Sequence, residues 1–163
     1  MFNRPILNIP RTKLEAVHNV SAIIVMLAVL SYLAAVWTSL PEQFPTHFDF
    51  SGKPNGWGGK GGLILLPILS ALVYGGLTLL GKIPHKFNYL REITEENAQR
   101  QYVIALHMIS WMKVLIVVLF SSIEWNMIRA AFGNEPAAWS MLSFVVVLLG
   151  TIAFYIRKSL RAA

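Results

Sequence analysis

The chain has 163 residues, 55% of them apolar and only 13% charged, with 14 Lys and Arg against 8 Asp and Glu. A soluble domain carries about 25% charged residues, so an ordinary water-solvated surface is excluded. The lack of cysteine excludes disulfides and thiolate metal sites, and the net charge of +6 comes without the basic and aromatic interleaving that grips nucleic acid.

Pro5 and Pro10 discourage helix at the start, and Thr12 then offers an N-cap for a helix entering an apolar run. Asn19 to Leu40, Gly61 to Gly81 and Pro136 to Ile156 contain no Asp, Glu, Lys, Arg or His. Each is close to the ~20 residues that cross a ~30 Å hydrocarbon core. Tyr102 to Ile123 is equally apolar apart from His107 and Lys113. These runs predict an all-α membrane protein, one integral domain over 1–163, with four transmembrane helices at about 18–40, 61–81, 102–123 and 137–156. A basic N-terminus before an apolar run also fits a secretory signal, which would leave three helices if cleaved. This run exceeds the 7–15 residues of such signals and lacks an A-x-A site, so a retained anchor is expected.

Local features add detail. Ala28, Ser31 and Ala35 predict a close-packing face on the first helix. Pro67 predicts a kink that places the second helix inside the bundle. Thr94-Glu95-Glu96 predicts that the third helix starts near Glu95. Gly133-Asn134-Glu135-Pro136 predicts a turn, and Trp37, Trp125 and Trp139 suit the membrane interface.

Ten basic residues (Arg4, Arg11, Lys13, Lys82, Lys86, Arg91, Arg100, Arg157, Lys158 and Arg161) flank one end of the runs, against Lys53, Lys60 and Arg129 at the other. The positive-inside rule then places both termini in the cytoplasm and the 41–60 loop outside.

That loop is the richest stretch. Pro41 and Pro45 favour extended backbone before them. In an extended Thr46 to Phe50, His47 and Asp49 share one side, Phe48 and Phe50 the other. Asn55-Gly56 predicts a tight reversal. Three readings of His47 and Asp49 stand: a metal site completed by Glu124 or Glu135, an acid/base pair, or hydrogen bonds that hold the loop's shape. Either way, a shaped loop is a recognition surface built from Pro45, His47, Asp49, Gly52, Asn55, Gly56, Trp57 and Lys60. In the third helix, Lys113 and Glu124 are membrane-buried polar residues, 11 positions apart on one face but roughly 16 Å apart along the axis. Lys113 either serves an ion path, binds a partner's carboxylate, snorkels, or meets carbonyls freed near Pro67. Glu124 is expected to approach Lys60 or the His47 loop.

Leu40-Pro41-x-x-Phe44-Pro45-x-His47-Phe48-Asp49-x-x-Gly52-x-x-Asn55-x-Trp57-x-x-Lys60 resembles the signature of a family of small bacterial membrane proteins of unknown function. The same module is shared with Sdp-type immunity proteins, and Ile93-Thr94-Glu95-Glu96-Asn97-Ala98-x-Arg100-Gln101-Tyr102 is similar to a segment of these proteins. The family commonly has Asp or Asn at the Asn55 position. The resemblance implies a polytopic protein of the cytoplasmic membrane, and immunity toward a secreted membrane-active peptide, with capture of a repressor in the longer relatives. The partners expected are the bilayer, a secreted peptide or another membrane protein, and a cytoplasmic partner at 82–101; no cofactor is expected. The rival readings are a membrane-embedded enzyme or transporter using His47, Asp49, Glu124 and Lys113, and a structural subunit of a membrane complex.

Overall fold

The structure, a computed structural model, describes residues 4–49, 53–134 and 139–162. Gly52, Phe50, Glu135 and Pro136, all named above, lie outside the described residues. Four helices are long and apolar enough to cross a membrane, an arrangement consistent with a multi-pass membrane protein. They are α1 (Lys13–Val36), α2 (Leu65–Leu80), α3 (Ala98–Ala131) and α4 (Trp139–Arg161). Thr12 caps α1 through a reciprocal box with Glu15: its hydroxyl accepts from the Glu15 N–H while the Glu15 carboxylate accepts from the Thr12 N–H.

The 34-residue α3 is the axis of the bundle. It packs against each of the other helices, whereas α1 and α2 touch only lightly. Its buried stripe runs through Ala98, Tyr102, Ala105, Ile109, Lys113, Val117, Glu124 and Ile128. Within the apolar window of α1 only 11% of residues are buried, and the same share holds in α2. Their outward leucines, isoleucines and valines are therefore left for an apolar solvent.

Several expectations are corrected here. The chain is mostly helical, as expected, but the loop between α1 and α2 contains strands: β1 (Gln43–Phe48) and β2 (Pro54–Gly59) form an antiparallel hairpin. Asn55-Gly56 lies inside β2, so the reversal falls between Phe48 and Pro54. A 3₁₀ segment, Lys60–Ile64, precedes α2. Pro67 is therefore the third residue of α2, in the first turn, where a missing N–H costs nothing and no kink is required. Nor is α2 interior; Ser70 is its one buried residue. Ala28, Ser31 and Ala35 face outward and make no close-packing face. The third helix starts at Ala98, because Glu95–Asn97 form a separate turn in which Thr94 N–H donates to Asn97 Oδ1. The turn after α3 begins as expected: Gly133 adopts φ +77, and Gly133 and Asn134 donate to the carbonyls of Ala130 and Arg129, a Schellman ending.

Both chain ends meet at one end of the bundle. Arg4 donates to the carbonyls of His85 and Phe87, Tyr102 donates to Pro5, and Arg100 to Ala162. The connector between α2 and α3 closes this terminal end, and the hairpin closes the other.

Candidate functional site

Two polar regions stand out, one at each end. The hairpin is seated by Phe44, which is fully buried beside Leu33, Leu40, Leu63, Met127 and Ile128. Phe48 packs against the same cluster. At the base, Lys60 pairs with Glu42 at 2.8 Å, lies 5.7 Å over the Trp37 ring, and donates its N–H to the Glu42 carbonyl. At the turn, Asp49 and Lys53 are joined twice, by a 2.9 Å backbone bond and by Lys53 N–H to Asp49 Oδ1 at 3.0 Å.

The two strands approach so closely that side chains are excluded between them. A Cβ on Gly56 would meet His47 Cβ at 2.8 Å, and one on Gly58 would meet Thr46 Cγ2 at 2.8 Å. These glycines set the register. Across it, His47 Nδ1 meets Asn55 Oδ1. With that oxygen as acceptor the ring proton sits on Nδ1, and Nε2 of the neutral ring carries the lone pair. His47, Asp49, Lys53 and Asn55 are exposed, and Trp57 is 65% exposed although it is large and apolar. Pro45 is buried opposite Trp57. The described residues contain no group of three His, Asp or Glu side chains able to hold a metal ion.

At the terminal end a polar seam joins α1, α2 and α3. Thr12 and His107 are 3.0 Å apart, with Glu15 at 3.7 Å from the same ring nitrogen. One turn deeper, His18 Nδ1 meets Ser110 Oγ at 2.9 Å and its ring lies edge-on to Trp111. Deeper again, the Lys113 ammonium donates to Asn19 Oδ1 at 2.5 Å and Thr78 Oγ1 at 3.4 Å, and lies 5.2 Å from the Tyr74 ring centre. Tyr74 OH also donates to Asn19.

Lys113 is thus satisfied by side chains, not by carbonyls near Pro67. Its partners lie toward the terminal ends of their helices. Asn19 is only six residues into α1, about 9 Å of rise, and Thr78 is two residues from the end of α2. Glu124 meets neither Lys60, which is held by Glu42, nor His47; its Oε1 has no hydrogen-bond partner. The residues expected to form one enzyme or transport path therefore lie in three places. His47 and Asp49 are on the hairpin, Glu124 is beneath it, and Lys113 is in the seam.

A family model described as a domain of unknown function, DUF1648, matches residues 23–71. No curated protein and no solved structure matches the chain. The matched stretch takes in the distal part of α1, the whole hairpin and the first turns of α2. It stops short of the connector and of α3, so the likeness concerns the hairpin end.

Glu15, His18, Asn19, Tyr74, Thr78, His107 and Ser110 were not singled out as site residues from sequence. Their signal is spacing: 15/18/19, 74/78, 107/110 and 110/113 are neighbours three or four residues apart on a helix surface. Only packing shows that those faces meet. Outside the spans, burial and the neighbouring Tyr102 push the Tyr89 phenol up, against the pull of Arg4, whose guanidinium lies 5.5 Å over the Tyr89 ring.

Proposed function

We propose that this chain is a multi-pass protein of the bacterial cytoplasmic membrane, with both termini in the cytoplasm, that recognises a membrane-active peptide or an envelope ligand through its hairpin and so confers resistance. The observation that carries the reading is a hairpin, anchored by a fully buried Phe44, that leaves Trp57 65% exposed on the same strand as Asn55, itself bonded to His47. Large aromatic side chains such as Trp are the commonest anchors of binding surfaces. The excess of basic residues at the terminal end supports the orientation. The resemblance of the loop motif to that of Sdp-type immunity proteins supports the class of ligand, and the segment 82–101 is the face left for a cytoplasmic partner.

The test is survival of cells producing Trp57→Ala or His47→Ala when challenged with a membrane-active peptide, at equal protein levels. Survival falling to that of cells lacking the protein is expected. Full survival in both variants removes the hairpin from the mechanism. Lys60→Ala is a less direct probe, because Lys60 holds the hairpin base through Glu42. An enzyme or transporter remains a second reading, favoured by the buried Lys113 seam; it predicts that Lys113→Met abolishes a transport or turnover activity while resistance persists.

A further inference from the structure

Glu124 is 1% exposed and Ser70 is 3% exposed. Glu124 Oε1 on α3 and Ser70 Oγ on α2 are buried without a hydrogen-bond partner, and both line one cavity of about 50 Å³, together with Ser121. Two unsatisfied polar atoms in one small cavity are not an accident of packing, since each costs about 1–3 kcal/mol if left unpaired.

The other walls decide what the cavity holds. From α1 come only Met26, Val29 and Leu30; α2 adds Leu66, Pro67 and Ala71; α3 adds Phe120. No cation and no second carboxylate is among them. Lys60 is committed to Glu42, Lys113 is 11 residues away along α3, roughly 16 Å, and Arg129 lies five residues on, toward another face. A bare carboxylate in such walls is expensive, and such a group takes a proton rather than remain charged. The four side-chain oxygens of Glu124, Ser70 and Ser121 also fall short of the shell of roughly six that a hard metal cation requires. The space suffices for water, which needs about 10–15 Å³ and two or more polar partners.

We propose that Glu124, Ser70 and Ser121 form a proton-binding site inside the bundle, in which the protonated Glu124 carboxyl donates into the cavity and the serine hydroxyls accept through water. No bond is made or broken except that to the exchanged proton. The hairpin lies one turn beyond the site: Met127 and Ile128, one turn past Glu124, pack under Phe44. This inference concerns the chain whatever the hairpin recognises.

Infrared difference spectroscopy of the full chain in lipid vesicles tests it. At neutral pH a protonated-carboxyl stretch is expected in the parent and is lost in Glu124→Gln, while Ser70→Ala moves the band to higher wavenumber. Identical spectra for parent and Glu124→Gln overturn the proposal. So does loss of the band when choline chloride is replaced by sodium chloride, which makes the site one for a metal cation. If Glu124→Gln does not assemble, an unmoved band in Ser70→Ala overturns it.

Discussion

The two ends of this bundle are closed by different balances of apolar and polar contact. At the hairpin end the closure is apolar: Phe44 and Phe48 sit on Leu33, Leu63, Met127 and Ile128. At the terminal end a smaller apolar cluster of Ile93, Ala98 and Tyr102 is tied by polar bonds from Arg4, Tyr102, Gln101 and Ser159 across segments, with the Lys113 seam above them. Apolar closure is non-directional and can re-form after sliding, whereas hydrogen bonds fix distances and register. The contrast suits a hairpin that presents a surface and a terminal end that holds the helices in place.

The comparison breaks most sharply at Phe44. Phe44→Ala removes a fully buried ring and is expected to cost about 3–5 kcal/mol. Amide exchange should accelerate in 43–48 and 54–59 while α1 and α3 keep their protection near Asn19 and Lys113. Equal loss at both ends would show that they are not separable.

The terminal end is probed next. Asn19→Leu leaves the Lys113 ammonium without its closest acceptor and is expected to cost about 2–3 kcal/mol, as for hydrogen bonds to charged groups. Lys113→Met removes the charge itself and should cost less, and the double variant should recover part of the Asn19→Leu loss. Thermal unfolding in detergent reads the order of the three. A Lys113→Met variant worse than Asn19→Leu would mean that the charge organises the seam rather than being tolerated by it.

The smallest effect refines the hairpin. Gly58→Ala places a methyl 2.8 Å from Thr46 Cγ2 and is expected to cost about 1–2 kcal/mol by overpacking. Adding Thr46→Ser deletes that methyl and should restore stability. Gly59→Ala meets only the Glu42 carbonyl, at 3.6 Å, and should be neutral. The same unfolding assay separates the three variants.

Apolar runs of about 20 residues determined the number and approximate position of the spans, because hydrocarbon thickness and helix rise leave little choice. Thr12 as a cap and Gly133 at the turn were legible too, since each depends on neighbours within a few residues. Tertiary structure alone decided the rest. The pairing of Phe44 with Gly58 made a hairpin where turn propensity had placed a reversal at Asn55-Gly56. The start of α2 at Leu65 turned Pro67 from a kink into a first-turn residue. Most of all, only packing brought Asn19, Thr78 and Lys113 together, and set Glu124 beside Ser70. Those residues are far apart in the chain, and hydrophobic periodicity says which face is buried but not what it is buried against.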